Sequence, residues 1–200
     1  MKLYSYDKGD SSVVIKHTLA IDPGLKTSGF SLISWEQGSV ISWEAPAEAR
    51  KVLGLPFPDV FQRVSERVDI YLDQIPEGLD LSSFEVVVEY TYFGGEFSSG
   101  IHMLVSTLMR ALDREVVVGR VTLVPAKIAQ YFMRVRSATD SMVKKYVREK
   151  FPKEWFAGGK VGPHAADAML FQAYNNYEWF VERGIELRAP KIERTVERQS

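Results

Sequence analysis

The amino-acid sequence predicts an α/β fold, a mixed five-stranded sheet with helices on both faces. Two observations carry that expectation. Three short apolar runs separated by turn residues come first, and helix-like and strand-like periodicities alternate after them. At 200 residues, with 46% hydrophobic, 26% charged and 12% aromatic residues, the chain has the size of one domain and enough apolar side chains for a real core.

The elements follow in order. Thr18–Asp22 is a short apolar run ending in Asp-Pro-Gly, the pattern of a buried strand stopped by a turn. Ser28–Trp35 and Val40–Trp43 read as the next two strands, joined through Glu36, Gln37 and Gly38. From Phe57 the apolar positions Val60, Phe61, Val64, Val68, Tyr71, Leu72 and Ile75 share one face of an amphipathic helix. The β-branched run Val86–Val88 marks a central strand over Phe84–Glu89. A glycine- and aromatic-rich loop, Tyr90 to Gly100, leads into a helix over Ile101–Leu112 that is apolar on more than one side. A helix apolar over so wide an arc usually has two things to bury against, which here could be its own sheet and a second subunit. Val121–Val124 is a further strand, and short helices are expected over Ala126–Phe132 and Ser141–Phe151. The last helix starts at Pro163 behind Gly162 and runs through Phe180, proline suiting the first helical position. An antiparallel trio followed by crossover units gives a mixed sheet.

Composition excludes several classes. There is no cysteine, so disulfide scaffolds and thiolate metal sites are out. No apolar run reaches the roughly 20 residues that span a bilayer, and Met1–Lys16 lacks the apolar stretch of a secretory signal. A cytoplasmic location without membrane contact is expected. Net charge is −1, but the charge is unevenly spread. Between Lys127 and Lys160 lie nine bases and only the acids Asp140, Glu149 and Glu154, whereas acids dominate from Glu66 to Glu89. A basic face beside an acidic focus suits a metal-dependent enzyme acting on a polyanion; a solvated helix face is the plainer reading.

The acidic focus has particular members. Asp22 ends the first of these strands and Glu89 ends the fourth, while His164 and Asp167 lie on one face at the start of the last helix. Neighbouring strands would bring the first two together, and repulsion between the carboxylates would be relieved by divalent cations. Oxygen ligands with one imidazole favour Mg²⁺ or Mn²⁺. Singly, each has an ordinary structural account: a turn aspartate, a strand-end glutamate facing solvent, and first-turn residues favoured by the helix dipole.

Taken together, Leu19–Gly24 (LAIDPG) with Thr27-Ser28-Gly29, Val86–Glu89 (VVVE) and His164–Ala168 (HAADA) resemble the RuvC family of Holliday-junction resolvases, nucleases with a ribonuclease H-like fold. The stretch from Pro125 to Val147 also fits that family. The resemblance spans Thr18 to Tyr174. It implies that Asp22 bridges two Mg²⁺ ions, with Mn²⁺ as a substitute, Glu89 on one ion and His164 and Asp167 on the other. It further implies a homodimer that nicks both sides of a four-way DNA junction, leaving 5′-phosphate and 3′-hydroxyl ends. Most relatives carry Asp at the position of His164, and family lysines expected near Ala129 and Asp140 are missing. Lys127, Lys144 and Lys145 are the candidates to replace them, with Arg134 and Arg136 on the same basic segment. Tyr92 and Phe93, just after Glu89, are the rings expected to stack on bases or wedge the junction. The implied organisation is an N-terminal extension (1–17), a nuclease domain (18–182) and a charged C-terminal tail (183–200). Other readings stay open: a sugar-kinase-like or actin-like phosphotransferase, a non-catalytic junction-binding protein, or a nuclease of the same fold with another substrate. No helicase partner can be read from the sequence.

Overall fold

The computed structural model describes residues 2–7, 14–24, 27–46, 80–90, 119–125, 127–190 and 193–198. The helix expected from Phe57, the loop with Tyr92 and Phe93, and the helix over Ile101–Leu112 lie outside the described residues.

The strands are β1 (Lys2–Asp7), β2 (His17–Asp22), β3 (Thr27–Ser34), β4 (Ser39–Pro46), β5 (Phe84–Tyr90), β6 (Arg120–Pro125) and β7 (Glu193–Arg198). They form one sheet in the order β4-β3-β2-β5-β6-β1-β7. Its first five strands are the expected mixed α/β core of ribonuclease H-like order. β3 runs antiparallel to both β2 and β4, and β5 lies parallel to β2 and to β6. β4 extends to Pro46, three residues past the apolar run that marks it in the sequence. Two further strands come from the segments expected to be extension and tail. β1 adds antiparallel to β6, and β7 pairs parallel with β1, Lys2 standing opposite Glu193.

Four helices are described: α1 (Ile128–Met133), α2 (Asp140–Lys150), α3 (Pro163–Asn175) and α4 (Tyr177–Glu182). The Thr139 hydroxyl accepts the Met142 N–H at 3.4 Å and starts α2, while Pro163 opens α3 as expected. The final helix is two helices rather than one. Asn176 leaves the helical region at φ −115° and ψ 40°, and its side-chain amide donates to Gln172 Oε1. Asparagine readily trades helical backbone geometry for such local bonds.

Strand parity decides what faces these helices. Ala20, Ile33, Val40, Val87 and Val124 point to one side and pack with Val143, Val147, Met169, Leu170 and Tyr174. Leu19, Ile21, Phe30, Val86 and Val88 are buried on the other side. From Ala165 to Asn175 every residue of α3 except Asp167 is buried, and the alanines among them let it lie close over β2 and β3. The Gln172 amide nitrogen donates to the carbonyls of Thr18 and Ser31, tying the helix to both strands. No helix among the described residues is long and apolar enough to cross a membrane.

Candidate metal centre

Register sets out the site. Asp22 stands opposite Gly29, and Gly29 opposite Glu44. On the other flank Ile21 pairs with Val88 and Glu89 with Val124. Asp22 shares its face with Ala20, and Glu89 shares its face with Val87. Because Ala20 and Val87 both belong to the core under α3, the two carboxylates emerge on that side at the ends of adjacent parallel strands. This is the juxtaposition the sequence led us to expect.

The first turn of α3 sits on this row. The His164 ring places Nδ1 2.8 Å from Asp22 Oδ2. Gly29 makes the approach possible, since a Cβ there would stand 1.9 Å from the His164 carbonyl oxygen. On the far side of Gly29, Glu44 Oε1 accepts the backbone N–H groups of His164 at 2.8 Å and Ala165 at 3.3 Å.

Asp22, Glu89 and Asp167 line one cavity of about 180 Å³, closed on its other side by Ala129 and Gln130 of α1, Ala138, Asp140 and Val143. Burial in this cavity, with Asp22 and Asp167 close by, pushes the Glu89 carboxyl up to about 8. Burial also raises Asp167, to about 7, with Asp22 adding to the effect and His164 opposing it. At Asp22 burial outweighs the hydrogen bond from His164, so its carboxyl too is raised. The hydrogen bond to Asp22 holds the His164 ring above its ordinary value of 6.5. Three carboxylates that resist ionising together are a site that wants positive charge.

Among the described residues, no group of three or more histidine and acidic side chains is drawn into a ready-made cage for a metal ion. In kind, the donors suit one: oxygens with a single imidazole match hard divalent cations. The Gln130 Oε1 atom is buried without a hydrogen-bond donor, and its residue lines the same cavity. An oxygen left in that state is costly unless something positive meets it.

The expected basic residues lie on the two chain segments that close this cavity. Lys127 is exposed just before α1, and Arg134 and Arg136 are exposed after it. On α2, Lys144 is half-buried and Lys145 exposed. Lys145 lies 3.9 Å from Glu149, a surface pair that contributes little.

Three residues escape a reading of the sequence. Glu44 had a visible signal, since it continues the inward parity of Val40 and Ser42, where a charge is unusual. Asp140 was marked only as an acid at a place where the family resemblance expects a lysine, and Gln130 had no signal beyond lying in a helix-rich basic segment.

The sheet order and the strand-end acids define an α/β chain of ribonuclease H-like topology with a carboxylate pocket beside its last long helix. Among solved structures the chain is similar to Thermus thermophilus RuvC, at 20% identity and a TM-score of 0.49. It is also similar to T. thermophilus RuvC in complex with a Holliday junction substrate, at 14% identity and a TM-score of 0.47. Each likeness covers 86% of this chain and 99% of the other. No family model matches the chain, and no curated protein does.

Proposed function

We propose that the chain is a divalent-metal-dependent DNA endonuclease that resolves four-way junctions as a homodimer in the cytoplasm. The observation that carries this reading is the shared cavity of Asp22, Glu89 and Asp167, whose carboxyls are raised by burial and by neighbouring charge. Motif resemblance around the same residues supports the choice of substrate.

Asp22, Glu89, His164 and Asp167 would hold two Mg²⁺ ions, or Mn²⁺ in their place. When bound, such ions neutralise charge at a phosphodiester and make water more acidic. The residues themselves do four things. Burial and neighbouring charge raise the affinity of Glu89 and Asp167 for protons, a bound cation would oppose that, and loading is therefore favoured by rising pH. The Asp22 carboxylate fixes the His164 ring by its Nδ1 contact, leaving Nε2 as the remaining ring donor. Lys127, Arg134, Arg136, Lys144 and Lys145 hold the DNA backbone, and Tyr92 and Phe93 stack on bases at the branch point.

The test is a cleavage assay with Mg²⁺ on four-way junctions, flaps, RNA–DNA hybrids and linear duplex. Paired, symmetric nicks confined to the junction, with ligatable 5′-phosphate ends, are expected. Preferential cutting of flaps or hybrids would assign another substrate, and no cutting of any DNA would remove the nuclease reading.

A further inference from the structure

The first turn of α3 is held by a residue 120 positions away in sequence. Helix starts leave N–H groups unpaired, and a side chain at the cap position normally takes one of them. Here the cap residue is Gly162, which has no side chain to offer. Glu44 of β4 supplies the acceptor instead, one carboxylate oxygen taking both the His164 and Ala165 N–H groups. A negative group at a helix start is favoured by the helix dipole as well. The arrangement leaves no slack. A Cβ on Gly162 would meet the Glu44 carboxylate at 2.2–2.3 Å, and a Cβ on Gly29 would collide with the His164 backbone.

The row Glu44–Gly29–Asp22 thus works as a seat. Glu44 grips His164 by its backbone on one side of the glycine, and Asp22 receives its ring on the other. Asp167 follows three residues later on the same helix. We infer that Glu44 is a positioning residue, a remote helix cap that sets where His164 and Asp167 stand relative to Asp22 and Glu89. It acts through the α3 backbone. This inference rests on the metal-site reading above only in its consequence for cation binding; the seating of His164 stands apart from it.

The experiment therefore reads both. The protein has three histidines, so the His164 ring nitrogens can be assigned by NMR in the metal-free chain. Glu44→Ala should abolish the signature of the Nδ1 hydrogen bond to Asp22 and weaken Mn²⁺ binding about tenfold, the usual scale for residues that orient ligands. Glu44→Asp keeps the charge but withdraws it by one methylene, and should shift the His164 signals in the same direction even if the alanine variant folds poorly. Glu44→Gln keeps an acceptor at the same reach and should retain most of the wild-type signature. Ile33→Val, which trims the buried core away from the helix start, controls for lost stability and should leave ring signals and Mn²⁺ affinity unchanged. Wild-type His164 resonances in both Glu44→Ala and Glu44→Asp would overturn the inference. Failure of the wild-type chain to bind Mn²⁺ would instead overturn the metal reading, with the resonances still deciding the role of Glu44.

Discussion

Replacing Glu89 by glutamine removes one ionisable group from the cavity while keeping its size and an acceptor oxygen. In the fold this carboxyl is pushed from 4.5 up to about 8 by burial and by Asp22 and Asp167. A group whose folded value is raised stabilises the protein below its unfolded value and loses that contribution as pH rises towards the folded one. Tenfold in proton affinity corresponds to about 1.4 kcal/mol, so between pH 5 and pH 8 Glu89 alone would withdraw roughly 3 to 4 kcal/mol. Asp22 and Asp167 share the repulsion and relax when any one member is neutral, which brings the net effect of the substitution at pH 8 to about 2 kcal/mol. For a chain of this size that is a Tm difference of about 4–8 °C. The assay is thermal unfolding of metal-free wild type and Glu89→Gln from pH 5 to 8, with and without Mg²⁺. The two proteins should melt alike near pH 5, and the variant should be the more stable at pH 8. Saturating Mg²⁺ should then raise the wild type and leave the variant nearly unmoved. Parallel Tm profiles across the range would refute the reasoning, since Glu89 would then ionise as freely in the fold as outside it.

Three other outcomes are expected. Asp22→Asn should reduce junction cleavage by at least about a hundredfold while junction binding, measured by gel shift, stays within threefold (roughly 0.7 kcal/mol). Gly29→Ala forces a Cβ to within 1.9 Å of the His164 carbonyl oxygen, so it should cost about 1–3 kcal/mol in denaturant unfolding and lower Mn²⁺ affinity more than an equally destabilising core variant does. Met109→Asp, in the doubly apolar segment Ile101–Leu112, should convert a dimer to monomers by light scattering; a wild-type chain that is already monomeric at working concentration would dispose of the dimer.

The core of the sheet was legible because burial writes itself into strands. The Val86–Val88 run, the apolar stretch before Asp22 and the turn at Glu36–Gly38 are local patterns with one sensible solution. That Asp22, Glu89, His164 and Asp167 would come together was legible for a related reason: each sits near where an element begins or ends, and element ends gather at one edge of an α/β sheet. Glu44 was harder to read. Its partners are backbone N–H groups far along the chain, which no local pattern reports. β1 and β7 are strands through distant pairings, β1 on β6 and β7 on β1. Neither segment shows the alternation that would mark a strand alone, and nothing local announces a pairing between opposite ends of the sequence. The break at Asn176 was visible only as two adjacent asparagines within an otherwise helical pattern.

The pairing of β1 with β7 also bears on the order of events during folding. β3 and β4 are joined by a four-residue turn, Trp35–Gly38, and hairpins of that kind close within microseconds. Joining Lys2 to Glu193 closes a loop of nearly the whole chain, with the largest entropic cost of any contact in the sheet. That seam is set to zip last, once β2, β5 and β6 have given β1 a surface to dock on. Until β1 docks, β6 presents an unpaired edge, the kind of surface that recruits strands from other molecules. Refolding yield should accordingly depend on protein concentration more than the stability of the finished fold would suggest.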